Sequence, residues 1–412
     1  MTGSRWRVLA PFALTFLLFA LLLNSTGPVI LQSVQSFRVS KADASLLEGF
    51  KDLPIAFASF FVGALLPRFG YRSATVLSLV AVAIACAVTP VIGSFWALKL
   101  LFMVVGVAFA AVKTSIYVIV GLVTDSPRTH ASVTSALEGV FMLGVLSSFW
   151  LFSLFIDPKA PQSTHWLRVY PWLSGATAVT AVIVALCPLD ERSARPEGGD
   201  LRGATTAMPR LLSEPFVLAF LACAFLDVLV EQSINSWLPT FNREVLNLPA
   251  ALAVQLASLY AVGIAFGRLG AGMILRRTSW VWPVSVGLIA SVVLMGAVVL
   301  SISPVRSGLA SGWPDLPVMA YALPAVGLLL APIYPTLCSA VLSALPPVRH
   351  SAMTGLILIS SALGGTIGSA ITGRVFAALS GKAAFLAIIP SMAALFLAGL
   401  AFNASLRRGR ST

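Results

Sequence analysis

Asp227 and Glu231 stand one helical turn apart in Leu221 to Phe241, LACAFLDVLVEQSINSWLPTF, a stretch otherwise apolar enough to lie inside a membrane. An ionisable side chain at bilayer depth costs roughly 2.5–3.5 kcal/mol on insertion scales, so such groups turn inward and are used. The i,i+4 spacing puts both acids on one helical face, and Asn235 continues the stripe. That face is expected to avoid lipid. Two carboxylates this close in a low-dielectric cavity resist being ionised together, which suits one of them to take up and release a proton. The structural alternative, each acid paired with a basic group, finds few obvious partners in the carboxy-terminal half.

Three further sets of residues could do chemistry. Lys113 lies deep in AFAAVKTSIYVIVG, roughly 13 Å from the end of its span at 1.5 Å per residue. Glu138 enters the next span from the same side, so the two are either a structural ion pair or, respectively, a contact for an anionic or hydroxyl-bearing substrate and a group that titrates with the cavity. Glu48, Lys51 and Asp52 share one face at the start of the second span; an interfacial salt bridge with Lys51 snorkelling and an outer gate or entry-side proton site are both open. Asn24, Asn235, Trp237, Tyr334 and Ser361 offer a ring and polar groups suited to a sugar, although each type also serves as ordinary packing in spans. Lys99 is expected to reach the outer headgroups, and Arg268 to make gate contacts to a neighbouring helix terminus rather than to bind substrate.

Other chemistries lack their residues. The chain has no phosphate-cradling Gly-rich loop ending in Lys-Ser/Thr, no HExxH and no CxxC; its three histidines fall in loops. Cys86, Cys187, Cys223 and Cys338 show no metal-ligand spacing and read as small core residues. No catalytic residue, metal site or cofactor is therefore expected, and the chain is not read as an enzyme.

The elements that must position these groups follow from composition. With 58% hydrophobic and 10% charged residues among 412, the chain is far outside soluble composition. A span needs about 20 apolar residues, and twelve can be drawn: 8–32, 44–66, 74–93, 95–122, 131–156, 167–189, 215–241, 250–275, 279–302, 316–344, 351–377 and 381–406. The expected fold is an all-α polytopic membrane protein with twelve transmembrane helices. The net charge of +12 is spread through the turns rather than gathered for nucleic acid. One side holds Arg5, Arg7, Arg68, Arg72, Arg128, Arg192 and more, the other only Arg38, Lys41, Lys159, Arg168, Arg243, Arg306 and Lys382. Both termini are thus expected to be cytoplasmic by the positive-inside rule, in an inner (plasma) membrane. The polar stretch 190–214 is the one long linker, dividing a six-helix bundle over 1–189 from another over 215–412.

Internal repetition supports this division. Gly63, Arg68, Gly70 and Arg72 follow the second span, and Gly267, Arg268, Gly272 and Arg276 follow the eighth; Gly63 and Gly267 are separated by the same interval as Arg72 and Arg276. With these residues the chain resembles the major facilitator superfamily over its whole length. The family's signature carries an aspartate where this chain has Pro67, so the resemblance implies a cytoplasmic gate whose polar lock is differently built. A narrower resemblance, to the fucose:proton symporter branch, rests on Glu231 to Phe241, on GRLGAG in span eight and on SSALGGTIG in span eleven.

Together these readings imply a secondary active transporter, taking up a small polar solute, a sugar or organic acid, with protons. Asp227, Glu231 and Glu138 are the candidate proton carriers. Proton-driven export of a drug or metabolite is the alternative. The expected partners are a small-molecule substrate, protons and the lipid bilayer, with no nucleic acid, and the chain is expected to work as a monomer.

Overall fold

The computed structural model describes residues 3–124, 126–189, 191, 211–274, 278–302, 312–316, 318–346 and 349–409. Among them the regular structure is helical, which is what an apolar chain needs when no water is at hand to satisfy its backbone. The first unit is built from α1 (Gly3–Leu23), α5 (Tyr71–Ile92), α6 (Phe95–Val123), α7 (Pro127–Phe155), α8 (Val169–Ala185) and most of α4 (Leu46–Phe69). The second contains α2 (Thr26–Ser36), α3 (Lys41–Ala44) and the long α9 (Pro215–Glu244), α10 (Ala250–Ile274) and α11 (Val281–Ser301). It is completed by α12 (Val318–Ala322), α13 (Val326–Leu330), α14 (Ile333–Ala344), α15 (His350–Ala378), α16 (Gly381–Leu386) and α17 (Ile389–Gly409).

Eleven described helical stretches are long and apolar enough to cross a membrane. The 24-residue α4 also matches a span in length. Three stretches that read as continuous spans are broken. The first breaks between α1 and α2, where Pro28 removes the amide that would have bonded the Asn24 carbonyl. The Ser148 hydroxyl of α7, which donates to the Val145 carbonyl at 2.7 Å, lies 3.3 Å from the Asn24 carbonyl oxygen. The tenth span divides into α12, α13 and α14 around Pro324 and Pro332, and the twelfth into α16 and α17 beside Pro390, for the same reason.

In the first unit α1 packs on α6 and α7, and α5 on α6 and α8. Phe16, Phe109 and Phe141 interlock there with ring centroids 4.6–6.3 Å apart. Lys99 departs from the expectation drawn for it. It is only 9% exposed, with its ammonium 4.6 Å from the Trp96 ring, 4.8 Å from Phe95 and 5.5 Å from Phe50, so aromatic faces replace the headgroups.

The Gly70 turn between α4 and α5 has a φ of 85°, a left-handed conformation natural to glycine. Just beyond it the Glu191 carboxylate accepts from the Tyr71 and Arg72 amides at 2.8 and 2.6 Å, an acid at a helix amino terminus, and the Arg72 side chain donates to the Cys187 carbonyl at 2.9 Å. The repeated motif therefore clamps the chain that leaves α8.

In the second unit α9 is the central helix, packed on α10, α14, α15 and α17. Residues Gly27–Gly49 belong to this unit and lie against α9 and α15. A Cβ at Gly27 would stand 3.0 Å from the Asn235 carbonyl oxygen, and one at Gly373 would stand 2.8 Å from the Ser45 Cβ, so small residues let the backbones meet.

Candidate functional site

The acid pair sits in the middle of α9. Glycines hold α15 close to this helix, and others seat α10 on α13. Gly364 and Gly368 of α15 face the Phe225 and Leu229 carbonyls, flanking Asp227 along the helix. On α10, Cβ atoms at Gly263 and Gly267 would press on the Leu328 backbone of α13, to 2.9 and 2.5 Å. A Cβ at Gly327 would in turn stand 2.5 Å from the Tyr260 carbonyl oxygen. These small-xxx-small contacts let α10 and α13 approach closely.

Asp227 is 4% exposed, and among the described residues none donates a hydrogen bond to its carboxylate. The charges that bear on it are those of Glu231 and Arg268. Glu231 is partly exposed, and its Oε1 lies 3.6 Å from an Arg268 guanidinium nitrogen. The structure thus supplies a basic partner that the sequence reading left at a gate: Arg268 faces the acid pair. Tyr260, two helical turns before Arg268 on α10, is fully buried, and its hydroxyl has no partner among the described residues. The charges of Glu231 and Asp227 act on it too. Tyr260 was not singled out from the sequence; its distance along one helix from Arg268 is the signal that could have found it. Tyr334 of α14 and Ser361 of α15 share a hydrogen bond of 3.0 Å, and Asp227 also acts electrostatically on Tyr334. Asp227, Glu231, Arg268, Tyr260, Tyr334 and Ser361 are therefore drawn from four helices of one unit. The arrangement can hold a proton on a carboxylate, exchange an ion pair and offer hydroxyls to a polar solute.

The other candidates are placed elsewhere. Asn235 is 9% exposed on α9 beside Gly27. Trp237 is fully buried, its indole N–H donating to the Ser369 carbonyl and hydroxyl at 3.1 Å each, so in this structure its ring has no face open to a solute. Asn24 donates to the Ala20 carbonyl at 2.8 Å. Glu48 is fully buried and accepts from the Ser236 hydroxyl at 2.5 Å. Lys51 and Asp52 approach to 3.6 Å.

In the first unit Lys113 is exposed, with its ammonium 5.7 Å from the Phe109 ring. Glu138 is also exposed and accepts a short hydrogen bond from the Tyr117 hydroxyl, a residue one turn beyond Lys113. Of the motif residues, Gly63 lies within α4, Arg68 is exposed at its end, and Gly70 and Arg72 make the turn described above. Gly267 faces Leu328 of α13, Arg268 meets Glu231, and Arg276 lies outside the described residues.

Comparison with known proteins matches this architecture. The backbone superposes with a TM-score of 0.76 on a bacterial homologue of the human lysosomal transporter Spinster in an inward-facing, occupied conformation, at 14% identity over 99% of this chain and 98% of that one. The nucleoside transporter NupG gives 0.74 at 13% identity, covering 97% and 99%. A variant of the Escherichia coli fucose:proton symporter FucP gives 0.59 at 16% identity, covering 95% and 98%. At these identities the likeness speaks for the fold alone. No curated protein matches by sequence. The family model described as Major Facilitator Superfamily matches residues 12–313, most of the chain, and with the all-helical fold it identifies this multi-pass membrane protein as a member of that superfamily.

Proposed function

We propose that the protein is a secondary active transporter that takes up a small polar solute with protons, by alternating access. The observation that carries this reading is the buried Asp227, one turn from Glu231, with Arg268 at 3.6 Å from the latter. A carboxylate at that depth without a donor among the described residues is costly while charged and cheap once protonated. Arg268 can then favour one acid or the other as the proton moves, which links protonation to a rearrangement of α9 against α10. Tyr334 and Ser361, both partly exposed, supply hydroxyls a sugar or organic acid would bond. Structural neighbours named as a fucose:proton symporter, a D-xylose-proton symporter and a nucleoside transporter support a polar substrate. In this reading the protein works as a monomer in the inner membrane, with both termini cytoplasmic.

The test is thermal stabilisation of the purified protein by a panel of sugars, organic acids, amino acids, nucleosides and lipophilic cations at two pH values. A ligand that binds only the folded state raises Tm by mass action. A polar hit whose effect depends on pH and disappears in Glu231→Gln supports the reading. A hit confined to lipophilic cations replaces it with export.

A further inference from the structure

A second polar cluster belongs to the first unit. Lys113 lies about 15 Å from the nearer end of α6, and Glu138 sits well inside α7, both within stretches apolar and long enough to cross a membrane. Both are exposed. Charges at that depth do not face lipid, so exposed ones line a water-filled space. A Cβ at Gly121, one turn beyond Tyr117, or at Gly139, beside Glu138, would meet nothing within 4 Å, which leaves that space open.

Rings close the cluster on one side. The Lys113 ammonium is 5.7 Å from the Phe109 ring, and Phe109 lies 6.0 Å from Phe141, itself one turn from Glu138. Lys113 and Tyr117 are one turn apart on α6, and the Tyr117 hydroxyl donates across to Glu138 Oε1 on α7. The two charges are not a closed ion pair: among the described residues Glu138 has Tyr117 as its one hydrogen-bond partner and no basic group at ion-pair distance. The cluster therefore presents an ammonium, which only donates, and a carboxylate whose Oε2 accepts from none of the described residues.

Resting on the uptake reading above, we infer that this face of the first unit binds a small hydroxylated monocarboxylate, its carboxylate on the Lys113 ammonium and a hydroxyl donating to Glu138. An ammonium makes its strongest bonds to an anion, so a neutral sugar leaves Lys113 unmatched. Glu138 repels a second carboxylate and calls for a donor, so an acid without hydroxyls leaves it unmatched as well. Half-buried Phe141 offers the carbon chain an apolar wall.

The experiment is isothermal titration calorimetry of the detergent-purified full chain at one pH and ionic strength. The probes are the hydroxy acids lactate, glycerate and gluconate, the polyols glycerol and sorbitol, the plain acids propanoate and hexanoate, and tetraphenylphosphonium. The wild type is expected to bind a hydroxy acid at least about tenfold more tightly than the polyol or plain acid of the same length, the weight of one bond to a charged group. Lys113→Gln should bring the hydroxy acid down to the polyol's affinity, Lys113→Arg should keep most of it, and Glu138→Ala should erase the advantage over the plain acid. Both positions are exposed, so the unliganded variants should melt with the wild type. A polyol bound as tightly as its acid, no binding of any of the three hydroxy acids, or a Lys113→Gln variant with wild-type affinity overturns the inference and leaves solute uptake standing. A response confined to tetraphenylphosphonium overturns both. Should a variant fail to fold, the wild-type comparison of acid with polyol still decides the class.

Discussion

The Arg268 guanidinium stands 3.6 Å from the Glu231 carboxylate, with side chains 39% and 31% exposed. At that exposure the pair contributes near the 0–1 kcal/mol of a solvated ion pair rather than the 3–5 kcal/mol lost on breaking a buried one. Arg268→Gln should therefore lower Tm by no more than about 2–4 °C. If the pair serves coupling, solute accumulation should fall at least about tenfold, equivalent to about 1.4 kcal/mol. Tm and transport measured on one preparation separate the two effects; a large loss of Tm with transport intact would make the pair structural.

The glycines that seat α15 on α9 have no room for a side chain. Gly364→Val and Gly368→Val would drive a methyl into the Phe225 and Leu229 carbonyls, and such overpacking costs about 1–3 kcal/mol. Both variants should melt lower and transport less, since Asp227 lies between the two contacts. Gly121→Ala is the control, because a Cβ there meets nothing within 4 Å. Equal melting temperatures for all three would remove the packing argument.

Where Gly27–Gly49 rests on α9 and α15, two contacts differ sharply in expected weight. Lys41 and Glu244 meet at 2.7 Å but are 21% and 38% exposed, so Lys41→Gln should leave Tm nearly unchanged. Trp237 is fully buried against Phe376, with both indole bonds on Ser369, and Trp237→Ala should cost about 3–5 kcal/mol. Denaturation in detergent would rank them. The reverse order would mean that charge rather than packing holds this segment.

Much of this was legible in the sequence because span length, apolar composition and the i,i+4 acid pair are local properties. The helical architecture and the common face of Asp227 and Glu231 needed nothing more. What surrounds those acids was not legible. Arg268 stands 37 positions from Glu231 and meets it only where α9 packs on α10, a tertiary fact. The breaks at Asn24 and around Pro324 needed the prolines to be read as lost hydrogen bonds rather than as kinks within continuous spans. Lys99 looked like a headgroup ligand because its rings at Phe50, Phe95 and Trp96 come partly from another helix.

The most direct test of proton coupling is solute accumulation in proteoliposomes under an imposed pH gradient, comparing the wild type with Asp227→Asn once a substrate is in hand. The account predicts that Asp227→Asn still equilibrates the solute but no longer concentrates it when the gradient is applied, because its side chain cannot release a proton. Gradient-driven accumulation equal to that of the wild type would contradict the assignment of Asp227 as the proton carrier.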